Sequence, residues 1–142
     1  SPAQITDRAE NPQSCVILLT DGQHQILLTG DTDVATERSF AENLGKINVL
    51  QVGHHGSKTS TGEILLAQTK PDIALISSGR WNAWNFPHPT VIERLNRYQS
   101  AVENTAISGH IRLNFTEKGI EIEKARGDFS PWFARVIGLS PK

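Results

Sequence analysis

Residues 47–60 read INVLQVGHHGSKTS, and this stretch decides the fold. Its first part, Ile47 to Val52, is a short apolar run of the kind that forms a buried strand, and it ends at Gly53-His54-His55-Gly56. Ser60 to Glu63 then has the capping-box pattern that precedes a helix. The stretch therefore predicts a buried strand, a polar loop and a helix.

The same alternation extends toward the N-terminus. Ser14 to Thr20 is apolar on both faces, which predicts a central strand, and Asp21-Gly22 predicts a hairpin to a second strand, Gln25 to Thr29. Val34 to Leu44 is predicted to be a helix that Asp33 caps.

Toward the C-terminus, Asp72 to Ser78 is predicted to be another buried strand, and Thr90 to Gln99 a helix after a long loop. Short strands are expected at Ile107, Ile111 to Phe115 and Ile120 to Ile122. Strands that alternate with helices imply right-handed crossovers and a largely parallel sheet, so the predicted fold class is α/β.

Composition bounds the possibilities. The chain has 142 residues, 37% of them hydrophobic and 20% charged, with a net charge of -1, which predicts one globular domain and argues against a generally basic, nucleic-acid-gripping surface. No apolar run approaches the ~20 residues of a membrane span. We expect a single partial domain over 1–142, with a loose lead-in at 1–10 and a C-terminal tail at 125–142 packed on the core. The opening Ser1-Pro2 and the lack of Met indicate a piece of a longer protein.

Candidate ligands follow the predicted strands. Asp31 follows the second strand, His54 and His55 follow the third, and His88 ends the loop after the fourth. Ligands of open α/β sheets bind beyond the carboxyl ends of the strands, and imidazole and carboxylate groups are favoured zinc ligands. Each residue also has a simpler interpretation, as a turn residue, a helix cap or a surface histidine.

An anion site is predicted beside these ligands. Ser57, Lys58, Thr59 and Ser60 run into a predicted helix start, which is an anion-binding position. A metal ion next to an anion cradle is what phosphoester hydrolysis requires.

Three segments resemble the metallo-β-lactamase-type domain of the ComEC family, the inner-membrane DNA channel proteins of natural transformation. They are Leu27 to Asp31, Val52 to Ser60, and Ile76 to Gly79 followed by Phe86 to Pro89. The resemblance runs from about Asn11 to Ile122. It implies the C-terminal half of a metallo-β-lactamase-like αββα sandwich, with a mixed sheet and flanking helices. Related phosphodiester and phosphorylcholine hydrolases share the histidine block, so the resemblance indicates the fold more specifically than the substrate.

The resemblance also implies roles for single residues. Asp31 matches a carboxylate that bridges two metal ions, zinc or manganese, and His55 is the expected ligand while His54 faces the phosphate; the reverse assignment is the alternative. Lys58 would neutralise developing charge. Ser57, Thr59, Ser60 and His88 would line the substrate phosphate.

One part of the family pattern is missing from this chain. The His-x-His-x-Asp-His cluster of the superfamily is absent, and His24 has no such neighbours. The chain is therefore expected to hold half an active site, to bind metal weakly if at all, and to be inactive alone. A half-domain would expose the inner face of its sheet, which predicts self-association of the fragment.

Two functions are consistent with these features. The first is a nuclease or phosphodiesterase domain that degrades the non-transported DNA strand, in a parent protein of the bacterial inner membrane whose transmembrane channel is the domain's partner. The second is a non-catalytic module that binds DNA or a protein partner, for which Trp81 and Trp84 are candidate contacts.

Overall fold

The computed structural model describes residues 13–126. The expected lead-in at 1–10 and nearly all of the tail at 125–142 lie outside the described residues. The described strands are β1 (Ile17–Thr20), β2 (Gln25–Leu28), β3 (Val49–Gln51), β4 (Ile73–Ile76), β5 (Ala101–Asn104), β6 (Ile111–Thr116) and β7 (Gly119–Lys124). The helices are α1 (Val34–Ala41), α2 (Glu63–Thr69), α3 (Pro89–Arg97) and the short α4 (Thr105–Ser108), with a 3-10 turn at Gly53–Gly56.

The sheet is mixed, with the strand order β1-β2-β3-β4-β5. β1 pairs antiparallel with β2 through the predicted Asp21-Gly22 hairpin, and β2 to β5 are parallel neighbours. Because the parallel strands follow one another in space as in sequence, right-handed crossovers place α1, α2 and α3 on one face of the sheet. The predicted α/β class, with a mixed sheet and flanking helices, is confirmed.

The core lies between this face and the helices. The strand register sets Leu27, Leu50 and Ala74 side by side, and all three are fully buried. Leu66 of α2 and Leu95 of α3 pack against them. Burying each large aliphatic side chain contributes about 1.5–3 kcal/mol to the stability of the fold. This layer therefore holds the sheet in place, and the loops that follow the strands extend from it.

The opening strand differs from its prediction. β1 is an edge strand rather than a central one, and Ile17, Leu18 and Leu19 are 42–47% exposed. Within residues 13–126, no strand pairs with the outer edge of β1. The apolar pattern predicts that the strand is buried on both faces, but it does not show which part of the molecule covers those faces.

The second face of the sheet is partly covered by the β6–β7 hairpin, whose two strands were predicted. The Phe115 ring lies 5.5 Å from that of His24, and Lys124 Nζ lies 2.6 Å from Glu103 Oε1. The hairpin therefore contacts the sheet near β2 and near β5. None of the helices in the described part of the chain is long and apolar enough to span a membrane.

Two local predictions are wrong. Ile107 lies in α4, and the strand that precedes it, β5, was not predicted because Ala101-Val102-Glu103-Asn104 has a single strongly strand-forming residue. The capping box at Ser60 does not form either. The N-cap of α2 is Gly62, and the Ser60 hydroxyl donates instead to Gly53 O at 2.6 Å.

Candidate functional site

The ends of three parallel strands and one loop line an open cavity of about 870 Å³. Asp31 follows β2, His54 and His55 follow β3, and Ser77 and Ser78 follow β4. The residues that line the cavity are Asp31, His54, His55, Ser77, Ser78, Gly79, Asn82, Trp84 and Phe86. The structure thus brings together the aspartate and the histidine doublet, which are more than 20 positions apart in sequence.

The backbone of the doublet is left-handed. His54 has φ 47° and His55 has φ 57°, a conformation that costs a non-glycine residue roughly 1–2 kcal/mol. The His54 amide donates to Gly30 O at 2.9 Å, and the Ser57 amide donates to His54 O at 2.9 Å. These bonds offset part of the strain and tie the doublet to the residue before Asp31, a feature that the sequence pattern does not reveal.

The end of β2 is fixed by the Gln51 side chain, which no sequence motif singles out. Gln51 Oε1 accepts hydrogen bonds from the amides of Thr29 and Gly30, both at 3.1 Å. The Thr29 hydroxyl donates to Gln51 O at 3.0 Å, and the Asp31 amide donates to Ser14 Oγ at 3.2 Å. The backbone that carries Asp31 is therefore held on both sides.

A backbone carbonyl sets the tautomer of His55. Its Nδ1 lies 2.7 Å from Ser77 O, and a carbonyl oxygen only accepts, so Nδ1 carries the proton. In the neutral ring, this leaves the Nε2 lone pair available. Histidines that bind metals usually have this arrangement, since the second ring nitrogen donates to a carbonyl or carboxylate.

The predicted anion loop folds beside the cavity and does not line it. Ser57 Oγ and Thr59 Oγ1 are 3.0 Å apart, Ser60 is fully buried, and the Lys58 side chain is exposed. None of these four residues is among those that line the cavity. Their predicted role in binding a substrate phosphate has no support from this placement.

The helix start that was predicted to bind an anion is already filled by Glu37. This side chain is 1% exposed, and its carboxylate accepts from the amides of Thr61 at 2.6 Å and Gly62 at 2.7 Å. Burial raises the pKa of Glu37 despite these two bonds. Arg94 donates to Thr61 O at 2.8 Å and to Lys58 O at 3.2 Å. The loop is thus held by charged groups of the protein itself.

His88 has a structural role in this arrangement. Its Nδ1 accepts from the Thr90 amide at 3.3 Å, which caps α3, and its own amide donates to Gly56 O at 2.8 Å. It does not line the cavity. The simpler of its two sequence interpretations, a residue that stabilises a turn, describes these contacts.

The cavity has side chains of the types that bind a divalent metal ion, but the described residues supply fewer of them than a complete site needs. Asp31 and His55 offer a carboxylate and an available imidazole nitrogen, the ligand types of zinc sites. Among residues 13–126, however, no group of three or more His, Cys, Asp or Glu side chains is placed to hold a metal ion. The described part of the chain offers a fraction of a coordination shell.

Comparison with known proteins defines the class. Residues 8–80 match the family model of the metallo-beta-lactamase superfamily. With this match over half its length, the chain belongs to the metallo-β-lactamase superfamily.

Its relatives confirm the narrower resemblance to ComEC-type competence proteins. The chain is 63% identical over 99% of its length to "Recombination protein 2" of Haemophilus influenzae. It is 34% identical over 83% of its length to "ComE operon protein 3" of Bacillus subtilis, and 30% identical over 88% to "Competence protein ComA" of Neisseria gonorrhoeae. The chain spans 16–18% of the length of these three relatives.

Proposed function

We propose that this chain supplies part of a metal-dependent phosphodiesterase site in a ComEC-like DNA-uptake protein, and that this site degrades the non-transported DNA strand. The observation that carries the proposal is the convergence of Asp31, His54 and His55 on one cavity at the carboxyl ends of β2 and β3. The names of two relatives, which refer to recombination and competence, support a role in DNA uptake. We also propose that the parent protein lies in the bacterial inner membrane, as the resemblance to the ComEC family implies.

The contacts of these residues support the roles that we propose for them. Asp31 and His55 would hold a divalent ion, zinc or manganese, with the His55 ring oriented by Ser77 O. When bound, such an ion would neutralise phosphate charge and lower the pKa of a water molecule. His54, whose ring lies 6.4 Å from that of His55, would face the phosphate and donate a hydrogen bond to it. Lys58 and His88 are left out of this scheme, because neither lines the cavity.

The site is proposed to be incomplete in this chain alone. A catalytic zinc usually has three protein ligands, and residues 13–126 hold no group of three candidate ligands. The remaining ligands would come from other parts of a longer protein. We therefore expect no turnover by the isolated 142-residue chain.

The test is a nuclease assay on a chimera in which this chain replaces the matching region of the Haemophilus influenzae relative. The chimera should cleave DNA when zinc or manganese is supplied. Asp31→Asn and His55→Gln should each lower the rate by more than about 100-fold, because even second-layer partners of metal ligands cost about 10- to 100-fold.

The matched control is Asp72→Asn, which removes a partly exposed carboxylate that pairs with Lys46 at 2.8 Å, at the opposite end of β4 from the cavity. This variant should cleave at the parent rate. If Asp31→Asn and His55→Gln also cleave at that rate, the assignment of the site is wrong.

A non-catalytic DNA- or partner-binding module is the second candidate. It is favoured by the lack of a three-ligand group in the described residues and by the exposure of Trp81 and Trp84. Under this alternative, the chimera binds DNA and shows no metal-dependent cleavage. The nuclease assay therefore separates the two functions directly.

A further inference from the structure

The loop after β4 presents aromatic side chains to solvent beside the cavity. Trp81 is 86% exposed and Trp84 is 74% exposed. Side chains of this size usually cover the protein's own core, and at these exposures they cover almost nothing. Two indole rings that are this exposed are suited to bind a ligand with flat apolar faces.

A row of rings connects the candidate site to this surface. The Phe86 ring lies 6.0 Å from the His54 ring, and the Trp84 ring lies 6.4 Å from Phe86 at an interplanar angle of 18°. The Trp84 indole remains 74% exposed beside Phe86, so its ring is open to a stacking partner. The row leads from the histidine doublet to an open stacking surface.

The charge of the loop suits a polyanion. Residues 79–88 contain Arg80 and no Asp or Glu. The Arg80 guanidinium lies 5.7 Å from the centre of the Trp81 ring. Aromatic faces next to cationic groups are how proteins bind single-stranded nucleic acid, since every base has a π-face once it leaves the duplex stack.

The loop is also held in shape before any ligand binds. Asn82 Nδ2 donates to Gly79 O at 2.8 Å and to Phe86 O at 2.9 Å, and Asn82 Oδ1 accepts from the Phe86 amide at 2.7 Å. Less conformational entropy is lost when a preorganised loop binds its ligand. Asn82 is thus a positioning residue for the aromatic row.

We propose that the Trp84–Phe86 row, with Trp81 beside it, is a stacking platform for the unpaired bases of a single DNA strand whose phosphate enters the Asp31 cavity. This inference rests on the proposed function and extends it by naming the side chains that would hold the bases of the substrate strand. Trp84 would determine specificity and take no part in the chemical step.

The test is a binding measurement in the presence of a metal chelator, so that cleavage plays no part in it. The 142-residue chain is titrated into a labelled oligothymidylate of about 12 nucleotides, within the usual site sizes of single-strand binders, and binding is followed by fluorescence anisotropy. An abasic strand of the same length has the same phosphates without the bases, and a duplex of the same length has its bases stacked. The oligothymidylate should bind more tightly than both.

Variants separate stacking from simple hydrophobic contact. Trp84→Leu should weaken oligothymidylate binding between about 5- and 150-fold, the range for loss of one base–aromatic stack, and should leave abasic binding unchanged. Trp84→Phe should retain most of the affinity. Ile64→Ala, which trims a 44% exposed residue on α2, is the control and should bind like the parent.

The result that would overturn the proposal is equal binding of the abasic and thymidylate strands, or no effect of Trp84→Leu. Co-sedimentation with anionic lipid vesicles that depends on Trp84, without base-dependent DNA binding, would instead make the loop a membrane contact and would also overturn it. Failure of the chimera to cleave DNA would count against the proposed function alone, because this binding is measured without metal.

Discussion

Glu37 is the residue that holds the histidine loop against the helices. Its carboxylate is buried, and it takes the two amides at the start of α2 that would otherwise lack partners. Leaving such amides unpaired costs about 1–3 kcal/mol each. A residue of α1 thus stabilises the loop that carries His54 and His55.

Glu37 should give the chain a measurable pH dependence. Because burial raises its pKa in the folded state, the folded chain binds this proton more tightly than the unfolded chain. The free energy of unfolding should therefore fall as the pH rises above 4.5, the ordinary glutamate value, and level off above the raised pKa. Urea unfolding across this range measures the slope.

Two variants check the assignment of that slope. Glu37→Gln cannot titrate and should flatten the dependence, while Glu42→Gln, at an exposed position after α1, should keep it. An unchanged slope in Glu37→Gln would contradict this role of the buried carboxylate.

At the residue scale, the sequence predicted the side chains of the candidate site but not the hydrogen bonds that hold their loops in place. Asp31 and the doublet were predicted to meet because they follow buried strands, whose carboxyl ends share one edge. Glu37 and Gln51 were missed because the amides that donate to them lie more than 20 positions away, and such partners leave no pattern in the sequence. Ser60 is predicted to be a helix cap because the capping-box pattern does not show that its hydroxyl donates instead to Gly53 O and Ser57 O.

At the scale of elements, the turn at Gly53–Gly56 joins the site to the aromatic loop. Gly56 has φ 84°, and a Cβ there would fall 2.6 Å from the Cβ of Pro87. Only glycine allows the turn and the loop after β4 to approach this closely. The carbonyl of Gly56 also accepts from the His88 amide, so the two segments are fixed together.

Replacement of Gly56 should therefore be costly. Gly56→Ala is expected to lower the free energy of unfolding by about 2 kcal/mol or more, through backbone strain and overpacking together. Gly45→Ala is the control, since nothing lies within 4 Å of the Cβ that it would add. Thermal unfolding of the two variants measures the difference, and equal midpoints would contradict the close packing.

The elements themselves were largely predictable. The β1–β2 hairpin, α1 with its Asp33 cap, β3, α2, β4 and α3 lie where periodicity and turn residues placed them. β5 was missed because a strand can be formed by its neighbour, here β4, even when its own sequence favours strand weakly.

At the scale of the whole molecule, the sheet has one well-covered face and one that is partly open. Ile17 and Leu19 lie on the second face with Ile26 and Leu28, their partners in the β1–β2 register. Among residues 13–126 nothing pairs with the outer edge of β1, and an open strand edge favours pairing with another chain. The sequence could predict that this strand favours burial, and only the topology could reveal that it lies at an edge.

We propose that this surface drives self-association of the 142-residue chain. Sedimentation analysis should show dimers or larger species at micromolar concentrations, and Leu19→Lys should shift the chain toward monomer. Ile64→Lys, at a similarly exposed position on α2, should not. A monomer at every concentration would contradict this proposal.

The most direct test of the site is equilibrium binding of zinc to the chimera with the Haemophilus influenzae relative and to its variants. If Asp31 and His55 share one ion, Asp31→Asn and His55→Gln should each weaken zinc binding by more than about 10-fold, the lower bound for loss of a ligand's partner. Asp72→Asn should bind zinc like the parent, and the 142-residue chain alone should bind it far more weakly. If the parent, Asp31→Asn and His55→Gln bind zinc with the same affinity, Asp31 and His55 do not share a metal ion.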